Sequence, residues 1–213
     1  MPDGSMPVHA GSGARIGPNA ILQLAGPLER MFDGAVMAQL LNLAQVPMPS
    51  GSEMVPEEDV QRVHHTLWQL FPDQARELSE EAGRGTARYI TENRIPRFAQ
   101  LVLRLMPRAI GERMLARAIA QHAWTFCGSG ALDVQRRGRE IHFVLENNPL
   151  AATGGPSHRS CHWHDAVFAE LFSCVLGGRY SCEEASCRGC GGATCRFVLR
   201  RGSRHSHFKG LEV

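Results

Sequence analysis

The chain has 213 residues, of which 43% are hydrophobic and 21% charged, and a net charge of +2. A chain of this length can bury about 70% of the surface that its unfolded form exposes, so its core does not depend on disulfides or metal ions. At the level of the whole chain, this charge excludes the strongly basic or acidic balance of a nucleic-acid or membrane partner. The unusual feature is that four of the seven cysteines lie between Cys182 and Cys195.

The two ends of the chain are predicted to be tails, residues 1–17 and 204–213. The first is rich in Gly, Ser and Pro and lacks the charged segment followed by an apolar run that marks a signal peptide. The most apolar segment, Val167–Leu176, is far shorter than the roughly 18 residues of a membrane span. We therefore expect a cytoplasmic chain without a transmembrane segment, whose thiols are kept reduced.

The first half of the chain, residues 18–123, is predicted to be helical. A helix begins at Asn19 and extends to about Val46, with an interruption at Pro27. Three acidic residues after Pro56 favour a second helix start. Apolar residues at helical spacing predict helices over residues 57–71, 73–93, 98–105 and 110–123.

Residues 124–203 are predicted to form an antiparallel sheet with one packed helix. Apolar and polar residues alternate on both sides of a turn at residues 136–139, as in a hairpin. After a loop at residues 147–156, a helix extends from Cys161 to Leu176. A second hairpin, rich in cysteine, has strands at residues 180–187 and 195–201. Because helices and strands do not alternate as βαβ units, the fold class is α+β in one composite domain.

The clustered cysteines predict a metal site. Short cysteine spacings on a Gly-rich hairpin allow several thiolates to converge on one tetrahedral ion, and zinc suits such a site best. Spacing alone suggests four cysteine ligands, which are Cys182, Cys187, Cys190 and Cys195. Four clustered cysteines also suit an iron–sulfur cluster, and some of them could simply be buried apolar residues.

The residues around the cluster resemble the 4-vinyl-reductase domain family. The shared pattern is Glu184-x-x-Cys187-x-x-x-Gly191-x-x-x-Cys195-Arg196-Phe197, preceded by Cys161-His162-Trp163. The size of the chain and its helical first half are similar to the bacteriochlorophyll-synthesis members of this family from purple photosynthetic bacteria. The resemblance implies a ligand-binding fold like those of transport-protein-particle subunits and haem–nitric-oxide-binding domains.

The resemblance also implies a different set of zinc ligands. In related sensor domains, zinc is held by a cysteine at the start of the preceding helix, a glutamate and two cysteines of the terminal hairpin. The matching residues in this chain are Cys161, Glu184, Cys187 and Cys195. Four protein ligands leave no open coordination position, so the zinc is expected to be structural. Cys182 or Cys190 could replace one of these ligands.

Motifs for redox catalysis are not apparent in the sequence. Each G-x-G pair lacks the preceding strand of a nicotinamide-binding βαβ unit: Gly11/Gly13 lies in the predicted tail, Gly83/Gly85 in a helical region and Gly189/Gly191 in the cysteine hairpin. No catalytic residue is predicted, and whether the chain is an enzyme stays open. The residues favour a binding module over an enzyme.

The family resemblance implies that the ligand is a vinyl-bearing magnesium tetrapyrrole, carried or presented to bacteriochlorophyll-pathway enzymes. Two alternatives stay open: a vinyl reductase that uses an external reductant, and a sensor of small aromatic ligands. The absence of an attached ATPase or helix-turn-helix region is expected to disfavour the sensor. The predicted partners are the tetrapyrrole and pathway enzymes, with no nucleic acid, and the relatives suggest a homodimer through the helical half.

A tetrapyrrole requires a wide apolar slot, with a histidine for magnesium and arginines for carboxylates. The predicted ligand-binding residues are His122 and Trp124, at the junction of the helical half and the sheet. Four other histidines are further candidates: His64, His65, His162 and His164. An apolar stripe is predicted to be core or a dimer face; it consists of Met31, Met37, Leu40 and Leu41.

Overall fold

The computed structural model describes residues 13–32, 34–151 and 159–202. Over these residues the chain has the predicted α+β class, with a helical first half followed by an antiparallel sheet that carries one packed helix. Part of the predicted N-terminal tail is among them: Arg15–Ile16 form strand β1, which pairs antiparallel with β2, Val55–Pro56. The predicted C-terminal tail, residues 204–213, lies outside the described residues.

The helix predicted from Asn19 to Val46 is three shorter helices. They are α1 (Asn19–Leu22), α2 (Ala25–Met31) and α3 (Val36–Ala44). The prediction of a break at Pro27 was wrong, because this proline is the third residue of α2. The first turn of a helix tolerates proline, since its amide groups have no partner within the helix.

The next four helices match the predicted segments closely. They are α4 (Glu57–Leu70), α5 (Ala75–Asn93), α6 (Arg97–Leu105) and α7 (Arg108–Gln121). A short helix that was not predicted, α8 (Trp124–Cys127), follows α7 before the sheet begins. The first turn of α4 contains Glu57, Glu58 and Asp59, whose negative charges favour the positive end of the helix dipole.

The sheet has four strands in the order β3-β4-β6-β5, all antiparallel. They are β3 (Ala131–Arg137), β4 (Glu140–Glu146), β5 (Tyr180–Ser186) and β6 (Cys195–Arg201). Helix α9 (His162–Leu176) packs on one face, where the rings of Phe143 and Phe168 stack at 4.2 Å. A register shift between Glu184 and Ser186 and a 3₁₀ turn at Arg188–Cys190 complete the cysteine hairpin.

The core is continuous across the helical half and the sheet, because α5 packs along α9. The predicted Met and Leu stripe belongs to this core: Met37, Leu40 and Leu41 are buried and Met31 is half-buried. Among the described residues, no helix is long and apolar enough to cross a membrane.

Candidate functional site

The fold brings together four buried side chains from three separate elements. Cys161 immediately precedes α9, Glu184 lies on β5, Cys187 follows β5 and Cys195 begins β6. One candidate ligand atom from each side chain lies within 4.8 Å of the other three. These are the four residues that the family resemblance implied, and they are 0–4% exposed.

The separation of the sulfur atoms fits a metal tetrahedron and does not fit a disulfide. The Sγ atoms of Cys161 and Cys195 are 3.7 Å apart. A tetrahedron with zinc–sulfur bonds of about 2.3 Å has edges of about 3.8 Å between sulfur atoms. A disulfide would need a separation of about 2.05 Å. All seven cysteines are free thiols in the structure.

The Glu184 carboxylate is the clearest sign that the cluster suits a cation. Its side chain is buried, and neither of its oxygen atoms has a hydrogen-bond partner among the described residues. Burial raises the pKa of Glu184 well above its usual range, because a buried carboxylate loses the solvation of its charge. A divalent cation between the carboxylate and the thiolates would supply the missing compensation.

Neighbouring N–H groups are placed to stabilise thiolates. The side-chain amide of Asn148 donates to the Sγ of Cys161 at 3.1 Å, and the backbone N–H of Arg188 points to the Sγ of Cys195 at 3.4 Å. The hydrogen bond from Cys161 lowers the pKa of Cys187, so this thiol ionises first. Such outer contacts orient the ligands of metal sites. Sequence patterns did not identify Asn148, which lay in a segment recognised only as a loop.

The two further cysteines of the cluster lie elsewhere. Cys190 is exposed at the 3₁₀ turn, and Cys182 faces a neighbouring cavity. Neither belongs to the group of four in the described residues that could hold an ion. The four-cysteine set suggested by spacing alone is therefore not the set that the fold assembles. The predicted structural role of Cys174 on α9 agrees with its half-buried position.

A cavity of about 660 Å³ adjoins the metal cluster. Helix α4 contributes one wall with Gln61, Arg62 and His65. The opposite wall includes Asn148 and Arg188, whose side-chain amide and backbone N–H, respectively, also contact cysteines of the cluster. Cluster and cavity therefore share two residues, and an ion in the cluster would hold one wall of the cavity in place.

A second cavity, of about 470 Å³, lies on the other side of β5. It is lined largely by charged groups, among them Arg76, Arg84, His162 and Asp165. The salt bridges of Arg76 and Arg84 to Glu80 occupy part of this charge. Compared with the first cavity, it is smaller and more polar, which makes it less suitable for a large flat ligand.

The structure separates the predicted ligand-binding pair from both cavities. His122 is exposed at the end of α7, where Nδ1 lies 2.9 Å from the carbonyl oxygen of Ala118. Trp124 is 61% exposed on α8. Neither residue lines the two cavities described above. A role for this pair in ligand binding stays a prediction.

Of the four other candidate histidines, two are core residues. His64 is completely buried, with Nε2 3.0 Å from the carbonyl oxygen of Ala20. His164 is buried among aromatic rings, including those of Trp163 and Phe197. Burial lowers the pKa of His64 to about 4 and that of His164 to about 3. The other two, His65 and His162, line the first and the second cavity, respectively.

The buried neutral His64 predicts acid sensitivity. Its lowered pKa means that the unfolded chain binds a proton below about pH 6.5 that the folded chain excludes until about pH 4. The stabilisation is therefore complete above the unfolded pKa and is lost as the pH falls toward the folded one. Between about pH 7.5 and about pH 5, we expect the wild type to lose about 2 kcal/mol more unfolding free energy than His64→Gln. Urea unfolding at both pH values measures this, and equal losses would contradict it.

Comparison with known proteins places this geometry in a family. The family model of the 4-vinyl-reductase domain matches residues 141–201. The chain is 43% identical over 186 residues to the bacteriochlorophyll synthase 23 kDa chain of Cereibacter sphaeroides, which covers 87% of this chain and 90% of that relative. It is 41% identical over 197 residues to the chain of that name from Rhodobacter capsulatus, covering 92% of each.

The fold is also similar to that of a solved H-NOX protein from S. oneidensis in its Fe(II)NO ligation state. The TM-score is 0.56 at 11% identity, over 88% of this chain and 100% of that chain. The expected similarity to haem–nitric-oxide-binding folds is thereby confirmed. At this level of identity the likeness concerns the fold alone.

Proposed function

The chain belongs to the family of the bacteriochlorophyll synthase 23 kDa chains, and we propose that it acts in bacteriochlorophyll biosynthesis as a tetrapyrrole-binding protein. Its ligand is a vinyl-bearing magnesium tetrapyrrole, which it presents to other enzymes of the pathway. The observation that carries this proposal is the 43% identity to a relative with that name, which extends over 87% of the chain. The matched length includes the helical half as well as the 4-vinyl-reductase domain.

The first cavity is the ligand site in this proposal. Its volume of about 660 Å³ is within the usual range for sites of small molecules and cofactors, about 300 to 1,000 Å³. His65 supplies an imidazole for the magnesium ion, and Arg62 and Arg188 supply guanidinium groups for the carboxylates. Part of each guanidinium group is already used, by Asp59 for Arg62 and by Asn147 for Arg188.

Zinc occupies the metal cluster in this proposal and is structural. Cys161, Glu184, Cys187 and Cys195 would complete its tetrahedron, leaving no position for water or substrate. Bound there, the ion would compensate the buried negative charge and connect the start of α9 to the cysteine hairpin. We assign no catalytic step to it, and Asn148 and Arg188 would transmit its order to the ligand cavity.

Absorbance titration tests the proposal and separates a carrier from a reductase. The purified protein is titrated with a divinyl magnesium tetrapyrrole, with and without NADPH. A spectral shift that saturates, with the vinyl group unchanged, supports binding and presentation. Conversion of the vinyl group would show the reductase alternative to be correct. No spectral change at micromolar ligand would contradict both.

The location of the ligand site is tested by two histidine substitutions of the same type. We expect His65→Gln to weaken tetrapyrrole binding about tenfold or more, because the amide is a poorer magnesium ligand than imidazole. His122→Gln, at the exposed end of α7, should bind like the wild type. If His122→Gln weakens binding and His65→Gln does not, the site lies at the predicted His122/Trp124 pair.

Compartment and oligomeric state complete the proposal. We propose that the chain works in the cytoplasm as a homodimer through its helical half. Because Met37, Leu40 and Leu41 are buried in the monomer, they do not form the dimer contact. Analytical ultracentrifugation measures the mass in solution, and a monomer would contradict the dimer.

A further inference from the structure

Helix α6 turns its apolar face away from the protein. None of its residues is buried, whereas Phe98 and Leu105 are each 77% exposed and Leu101 is 56% exposed. At 100° per residue these three side chains fall within an arc of about 60° on the helix. An amphipathic surface helix ordinarily directs such a stripe at the core. In α6 the stripe faces solvent.

The polar side of α6 holds the helix in this orientation. The guanidinium group of Arg104 donates to the carbonyl oxygens of Cys174 and Val175, at 2.6 and 3.0 Å, near the end of α9. The side-chain amide of Gln100 donates to the carbonyl oxygens of Thr91 and Ile95, at 2.7 and 2.8 Å. These contacts fix the helix with its apolar residues outward.

The exposed apolar surface continues from α6 onto α7. Ile110 is 49% exposed and Met114 is 44% exposed. Phe98, Leu101, Leu105, Ile110 and Met114 are called here the α6–α7 face. These five make up more than half of the nine exposed large hydrophobic residues that the described part of the chain contains. Such a concentration in one segment marks an interaction surface.

The α6–α7 face is accompanied by positive charge alone over most of its length. Residues 93–111 contain four arginines and no aspartate or glutamate. The four are Arg94, Arg97, Arg104 and Arg108. The net charge of the whole chain hides this segregation. An exposed apolar stripe with arginines beside it is the pattern of a helix that lies in the plane of a membrane interface.

We propose that the α6–α7 face binds the surface of an anionic lipid bilayer. Phe98, Leu101 and Leu105 enter the boundary between headgroups and acyl chains, with the axis of α6 parallel to the membrane. The exposed arginines beside them contact anionic headgroups. Attachment is peripheral and reversible, since one short amphipathic helix buries little apolar surface.

The charge pattern favours lipid over a second copy of the chain. In a twofold dimer through this face, the arginines of one copy would approach those of the other, with no carboxylate in residues 93–111 to pair with them. An anionic bilayer provides negative charge next to an apolar layer and satisfies both parts of the face. An acidic protein partner and a second copy are alternative outcomes of the experiment.

Co-sedimentation of the full chain with lipid vesicles tests this proposal without any pigment. The probes are vesicles of phosphatidylcholine alone and vesicles that also contain phosphatidylglycerol, at about 0.1 M salt, where charges are screened beyond about 10 Å. We expect binding to the anionic vesicles, weaker binding at higher salt and little binding to phosphatidylcholine. The double variant Phe98→Ser/Leu105→Ser should lower the partition coefficient about tenfold or more.

The matched control is Leu43→Ser, which removes a leucine that is 63% exposed on α3, away from residues 93–114. It should bind anionic vesicles like the wild type. Because all three side chains are exposed, the variants should keep the wild-type melting temperature. The proposal is wrong if the wild type ignores anionic vesicles, or if the double variant and Leu43→Ser bind equally. It is also wrong if the double variant turns a dimer into a monomer, which would identify a subunit interface.

Discussion

Replacing Cys195 by serine is expected to abolish zinc binding and to lower the melting temperature by about 10 °C or more. Cys195 is completely buried at the start of β6, and its Sγ lies 3.7 Å from that of Cys161. Without this thiolate the proposed ion has three ligands, and the buried Glu184 carboxylate loses its compensating charge. Zinc content by atomic absorption and melting by circular dichroism measure the two effects.

Cys190→Ser is the matched control for this experiment. The substitution is the same and lies in the same hairpin, but Cys190 is exposed and outside the group of four. We expect it to keep zinc and the wild-type melting temperature. Loss of zinc in Cys190→Ser with retention in Cys161→Ser would contradict the proposed ligand set. Treating the wild type with a strong chelator should reproduce the loss of stability seen with Cys195→Ser.

Substituting alanine for Gly83 is expected to cost about 3 kcal/mol of unfolding free energy. Gly83 lies where α5 crosses α9, and an added Cβ would overlap the carbonyl oxygen of Trp163 and lie 2.8 Å from the Cβ of Ala166. The obstacle is the backbone of another helix, so the two helices must separate to relieve the overlap. Urea denaturation measures the change.

Gly85→Ala, two residues along the same helix, provides the control. The nearest atom to its added Cβ is the side-chain oxygen of Gln23 at 2.6 Å, which a change of rotamer can move. Alanine favours a helix over glycine by about 1 kcal/mol. Gly85→Ala should therefore be neutral or slightly stabilising. If Gly83→Ala were equally harmless, the close crossing of α5 and α9 would not be rigid.

Periodicity predicted most of the fold because apolar residues follow the period of each element. The helix from Cys161 and the two hairpins appeared close to their predicted bounds. The segment from Asn19 to Val46 did not, because its apolar residues support a helix at every point. The breaks between α1, α2 and α3 instead follow how these short helices pack around the core. The helix α8 is four residues long, too short to produce a periodic signal.

The metal cluster shows the limit of reasoning from spacing. Short spacings on the hairpin suggested Cys182 and Cys190 as ligands, yet one faces a cavity and the other faces solvent. Cys161 is 34 residues from Cys195 in sequence and reaches the cluster only because α9 packs on the sheet. The family resemblance named the set that the fold assembles. Spacing could not, since it contains no information about distant segments.

By itself, the sequence determined the fold class, the main helices and strands and the presence of a cysteine cluster, because each depends on local pattern. It also showed the apolar stripe of α6, whose outward direction was decided by the hydrogen bonds of Arg104 and Gln100. Only the tertiary structure decided which side chains share the buried cluster and which histidine borders a cavity. Both depend on contacts between segments far apart in the chain, which a local pattern does not encode.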